Sequence, residues 1–303
     1  MTTATLGHGT RGDAGVIALV SSAHGVSHFF HLVLPPMFPW LREAFGLSYA
    51  ELGLLMTVLF TVSGIGQALA GFLVDRVGPA PVMQAALALF AGGATLIGLA
   101  SSWEWLVAGA VLIGLGNAPF HPVDYSILNA RVATPRLGHA YAMHGVAGSL
   151  GWALAPVFMV GIAQLAGWHG AFFGAALLAA AMLAAVTLRR DLLVVAAHRV
   201  AEAAAPAAGS AAARSRQAVA AGPRPLDFMR LPAVWYSFAF FFASAFALGG
   251  VQSFGPESAR LLHEVPLGVV AVCLTAYMLS SAPRIIARGP APPHPPRAPP
   301  PTP

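Results

Sequence analysis

The feature that most constrains this chain is a series of apolar runs, each at or near the ~18–20 residues needed to cross a bilayer. Eight qualify, roughly residues 15–41, 50–73, 80–101, 103–128, 138–163, 168–188, 232–254 and 265–282. At about 1.5 Å of rise per residue, a helix of that length covers the ~30 Å hydrocarbon layer. None alternates polar with apolar positions, so helices are expected rather than barrel strands. Composition agrees: 57% of residues are hydrophobic and 9% charged, with mean hydropathy +0.72. A water-facing surface needs about 25% charged residues. The expected class is an all-α integral membrane protein.

The charges that remain set an orientation. All basic residues are arginines, and most stand in loops between spans, which leaves no basic patch to imply a nucleic-acid partner. With the N-terminus inside, the cytoplasmic side holds Arg11, Arg76, Arg131, Arg136, Arg189, Arg190, Arg199, Arg214, Arg216, Arg224 and Arg230, against Arg42 and Arg260 opposite. That bias places residues 1–14 in the cytoplasm. The single Cys273 excludes an internal disulfide framework. The first apolar run is too long for a signal-peptide core, and it reads as a retained span.

Local signals mark the helix starts. Ser48 with Glu51, and Ser101 with Glu104, have capping-box spacing. Pro266 suits the first turn of the eighth span. Short loops join spans one to six, which form a bundle over 15–188. Residues 189–231, rich in Ala, Pro and Arg, read as a cytoplasmic linker before two more spans over 232–282.

The loop after the second span reads Gly71-Phe-Leu-Val-Asp75-Arg76-Val-Gly78-Pro79-Ala80-Pro81. Gly71 is expected to permit close helix approach, and Gly78 a turn with positive φ. Further stretches are His24-Gly-Val-Ser-His28 with Leu34-Pro35-Pro36, Phe45-Gly-Leu-Ser48 with Leu52-Gly-Leu-Leu55, Gly114-Leu-Gly-Asn117-Ala-Pro-Phe-His121-Pro122, and Gly148-Ser-Leu-Gly151-Trp152-Ala-Leu-Ala-Pro156. Over about residues 15–282 the chain resembles the major facilitator superfamily, and within it the fosmidomycin-resistance-like drug exporters. The resemblance implies twelve spans in two six-helix bundles, alternating access, a small organic substrate, and a bacterial-type plasma membrane. It also implies a monomer if intact, and a role for Asp75 in holding the outward-facing state. Two departures stand out: Pro79 and Ala80 replace two basic positions, and Ala110 replaces the buried Arg of many proton-coupled exporters.

Eight spans against twelve, and ten prolines among residues 283–303, lead to a further expectation. The tail reads as disordered or off-frame sequence, and the chain as the first bundle plus two helices of the second. The alternative to a transporter is an inactive or partner-binding remnant lacking the last four helices.

Ionisable groups inside spans are costly, about 3 kcal/mol or more near the bilayer centre, and normally face the bundle interior. His24, His28 and His31 fall at i, i+4, i+7 on one face of span one. His24, His121 and His144 come at comparable depth, roughly 10–14 Å from the inner boundary. A protonatable cavity lining is one reading, since histidine titrates near neutral pH. Another is hydrogen bonding to backbone at kinks near Pro122 and Pro156. A third is a metal site on the His24 and His28 pair, disfavoured because no carboxylate or cysteine stands beside them in sequence. Asp124 is the acid within a span, and near His121 it makes a proton-binding pair or a hydrated helix end. Asn117 and Gln67 are candidate polar contacts, while Gly145, Gly148 and Gly151 suit close packing. The chain has no His-Glu-x-x-His, no phosphate loop, and a Ser149 context unlike a nucleophile elbow, so no enzyme, cofactor or resident metal is expected.

Overall fold

A computed structural model describes residues 10–194 and 227–280, and these contain α-helices, short 3₁₀ turns and no strand. Most of the expected linker and all of the proline-rich tail lie outside the described residues. Helix α1, Thr10–His31, gives way at Pro35 and Pro36 to a 3₁₀ turn and continues as α2, Phe38–Phe45. Together they form one membrane-length stretch, Gly12–Phe45. Gly46, with φ 66°, ends it by donating its N–H to Arg42 O.

The capping box at Ser48 and Glu51 is complete, and it opens α3, Tyr49–Val77. The one expected at Ser101 is not formed. Ser102 is the cap residue of α5, Trp103–Asn117, and Glu104 accepts from the Ser102 hydroxyl, which shifts the helix start by one position. Between these helices Gly78, at φ 90°, makes the turn into α4, Pro79–Gly98. The fourth span breaks at Ala118 and Pro119 and resumes as α6, Phe120–Arg131.

Residues Leu137–Leu188 form α7, helical throughout except at Gly167, with φ 72° and ψ 173°. A Cβ on Gly174 would lie 2.8 Å from Ile162 and 3.4 Å from Phe158. In a straight helix positions 158 and 174 would be about 24 Å apart. The chain therefore doubles back at Gly167, giving the fifth and sixth spans as a helical hairpin. Helix α8, Pro232–His263, runs past the expected end at 254, so residues 257–263 are helix rather than loop. Helix α9, Leu267–Leu279, follows, and is shorter than a full span.

Glycines set the packing. A Cβ on Gly114 would meet Leu59 O at 2.6 Å, and one on Gly116 would meet Ala86 O at 2.8 Å, so span four touches spans two and three backbone to backbone. A Cβ on Gly151 would come 2.0 Å from Gly25 O, which locks span five against span one. Gly71 does not serve the close approach expected of it: its Cβ would meet nothing within 4 Å among the described residues. Aromatic rings fill the centre, with Phe30 stacked on Phe90 at 4.3 Å and Phe90 on Phe120 at 5.5 Å.

At the end carrying the chain's start, buried Asp13 accepts from Ala133 N–H and from the Arg136 guanidinium. Arg131 donates to Asp191 O and Val194 O. Helix α9 packs on the fifth span, where Thr275 donates to Ala153 O at 2.7 Å. Phe238, Phe240, Phe241 and Phe242 on α8 are exposed, as side chains facing lipid would be.

Candidate functional site

The break between α5 and α6 positions the site. The helix is interrupted at Ala118 and Pro119, so Asn117 ends one segment while His121 and Asp124 open the next, one turn apart. Opposite stand His24, His28 and His31 on one face of α1, and His144 on the first half of α7. The close approach of α1 and α7 depends on Gly148, where a Cβ would lie 2.7 Å from His28 Nδ1 and 3.1 Å from His24 Nε2.

Asp124 is fully buried. Its Oδ2 lies 2.9 Å from His24 Nδ1 and 3.0 Å from His144 Nε2. The His144 contact is an aligned hydrogen bond; His24 Nδ1 makes no aligned bond among the described residues. The His24 and His144 rings stack at 3.5 Å between centroids, with His121 at 5.2 Å from His24 and 6.2 Å from His144. Three spans thus contribute ionisable groups to one point. A hydrated helix end for Asp124 is ruled out by its burial. The expectation that no carboxylate stands beside His24 is likewise corrected, because the fold brings Asp124 to it from a distant part of the chain.

His24, His121 and His144 offer ligand atoms within 4.8 Å of one another, so a cation could in principle be held. Asp124 Oδ2 stands beside this group, 2.9 Å from His24 Nδ1 and hydrogen-bonded to His144 Nε2 at 3.0 Å.

A second polar chain runs alongside. Trp152 Nε1 donates to His31 Nδ1 at 3.1 Å, so His31 Nε2 carries the hydrogen donated to Asn117 Oδ1 at 2.8 Å. Asn117 Nδ2 in turn donates to Ser63 Oγ at 2.6 Å. Both nitrogens of a neutral His31 are thereby used, and spans one, two, four and five are stitched together. His28 lies between the two groups, 4.3 Å from both His24 and Trp152 by ring centroids. Gln67 is exposed one turn beyond Ser63 and takes no part in either group among the described residues. Asp75 and Arg76 are exposed and hydrogen-bond to nothing among the described residues, while Gly78 makes the turn between spans two and three.

Sequence reasoning quoted Trp152 within a motif and gave it no role, and it missed Ser63 altogether. Ser63 was recoverable from its place four residues before Gln67 on the same helical face. Asp13 and Glu257, both buried carboxylates in helices, were also missed because each lies near a span end.

Comparison with known proteins adds the following. The sequence model of the Major Facilitator Superfamily matches residues 20–292. The Probable L-galactonate transporter of Escherichia coli is 26% identical over 132 residues, which is 44% of this chain and 29% of that protein. The Fosmidomycin resistance protein of Escherichia coli is 27% identical over 148 residues, 48% of this chain and 36% of its own. The matched stretch is therefore about a third of these relatives' length. Among solved structures, an inward-facing bacterial homologue of the human lysosomal transporter Spinster superposes with TM-score 0.73 at 15% identity, covering 90% of this chain and 61% of that one. That likeness is one of fold.

Proposed function

Because the chain belongs to the Major Facilitator Superfamily, we propose that it forms the first bundle and part of the second of a proton-coupled transporter that exports a small organic compound by alternating access. In this reading the N-terminus lies on the cytoplasmic side of a bacterial-type plasma membrane, and the intact transporter is a monomer.

One observation carries the proton-linked part of the reading: a single oxygen of buried Asp124 is shared by His24 of span one and His144 of span five. Adding or removing a proton here changes the net charge of a group sealed inside the bundle, which is expensive at bilayer depth. If that cost differs between two conformations, protonation biases the exchange between them. Ala110 leaves the span without the arginine that many exporters place there, and the histidine cluster takes its place as the titratable group. The efflux and drug part of the reading rests on similarity to the fosmidomycin resistance protein. His121, half-buried at the edge of the cluster with Tyr125 stacked 6.0 Å away, is the group placed to meet an incoming molecule or proton.

The test uses proteoliposomes holding this chain and a luminal pH-sensitive dye, with fosmidomycin and L-galactonate as separate probes. An imposed gradient of a transported probe should move protons, and Asp124→Asn should abolish that movement at equal protein content. Probe flux with no accompanying proton movement, or with proton movement unchanged in Asp124→Asn, would overturn the coupling.

A further inference from the structure

We propose that Tyr49, Glu257 and Arg260 form a latch that joins the two halves of the molecule at the end opposite the Gly78 turn and releases when that end opens. This inference rests on the alternating-access reading, because a latch matters only if the halves separate there.

Tyr49 opens α3 in the first half, whereas Glu257 and Arg260 lie near the end of α8 in the second. The Tyr49 hydroxyl donates to Glu257 Oε1 at 2.6 Å. Arg260 donates to the same carboxylate from Nε at 2.9 Å and from Nη2 at 2.7 Å. Glu257 is buried, and the guanidinium of Arg42 lies 4.8 Å over the Tyr49 ring. Phe254, one turn before Glu257, sits in the space left by Gly53: a Cβ on that glycine would be 3.2 Å from the Phe254 ring. The two arginines that loop charge sets apart from the other eleven, Arg42 and Arg260, both converge on this contact.

The division of labour among these bonds makes the contact reversible. Arg260 and Glu257 are i, i+3 neighbours on one helix, so their forked pair lies within one half. It fixes the carboxylate in position and remains intact when the halves part. The Tyr49 bond to Glu257 is the one that crosses between halves at this end, and its length is that of a charge-assisted O–H···O⁻ bond. Opening therefore strands no bare charge, which is the usual obstacle to breaking a buried ion pair. A single preorganised acceptor, one phenol and one aromatic knob in a glycine notch give a contact that closes firmly and opens without a large penalty.

The experiment measures distances in the full chain, in lipid nanodiscs, by electron–electron double resonance. Spin labels on Glu43→Cys and Leu262→Cys, in a Cys273→Ser background, report across the latch. Tyr49→Phe keeps the ring packing and removes the bond, and it should raise the ratio of separated to closed populations about tenfold. Glu257→Gln should shift the ratio in the same direction. Unchanged distances in both variants would overturn the latch. A shift in Glu257→Gln alone would overturn it too, because the carboxylate would then act only within α8. If Glu257→Gln fails to elute as folded protein, Tyr49→Phe decides by itself. A latch that responds as described in a chain that transports neither probe would stand while the transport reading fell.

Discussion

His24 and Asp124 meet with Nδ1 and Oδ2 2.9 Å apart, one from the first span and the other from the fourth. The contact exists because a break and a notch coincide. Span four breaks at Ala118 and Pro119, just before Asp124, and Gly148 lets span five press on the His24 and His28 rings. His144 then reaches the same carboxylate oxygen from the other side. The arrangement that brings Asp124 to His24 and His144 is also the arrangement that packs the bundle, and a role in proton uptake can be separated from packing by substitution.

Packing is most exposed at Gly151. A Cβ there would lie 2.0 Å from Gly25 O and 2.9 Å from Gly25 C, both backbone atoms that cannot rotate away. Gly151→Ala should therefore destabilise the bundle by at least the ~1–3 kcal/mol usual for overpacking. Gly161→Ala, with nothing within 4 Å of its Cβ among the described residues, should be close to neutral. Thermal unfolding of the two variants in one detergent checks the contrast, and equal melting temperatures would contradict the close approach of spans one and five.

His31 and His24 differ in what their rings do. His31 uses both nitrogens in bonds to Trp152 and Asn117, so His31→Gln should cost stability. The loss should be about 1 kcal/mol, since interhelical bonds in membranes average ~0.6 and reach ~1.7 kcal/mol. Its proton movement in the liposome assay should keep the parent's pH profile. His24→Gln should instead flatten that profile, because a titratable partner of Asp124 has gone. The comparison is read as the slope of proton movement against pH in the two proteins. Matching profiles for His24→Gln and the parent would make His24 a packing residue.

Much of this was legible along the chain. Apolar length marked the first seven spans but not the short helix Leu267–Leu279, and the i, i+4, i+7 spacing put His24, His28 and His31 on one face. Asp124 stood out as an acid within a span. What the sequence could not show was rotation about helix axes. Whether His24 reaches Asp124 depends on how span one turns toward span four, and the notch at Gly151, which seats span five on span one at Gly25, helps to set that rotation. Gly71 misled for the same reason, since a small residue marks a close approach only when its face has a neighbour. The Tyr49 and Glu257 contact was hidden because apolarity fades at 254 while the helix continues to His263. Capping was read correctly at Ser48 and one residue early at Ser101, where two serines compete for the same role.

The central claim is that Asp124 and its histidines take up and release a proton. Infrared difference spectroscopy on the purified chain in lipid tests it without any substrate. Stepping the pH from about 8 to about 5 should produce difference bands that include one carboxyl component lost in Asp124→Asn and altered in His24→Gln. Difference spectra of Asp124→Asn that superimpose on those of the parent would show that Asp124 keeps one protonation state throughout, and would contradict the account.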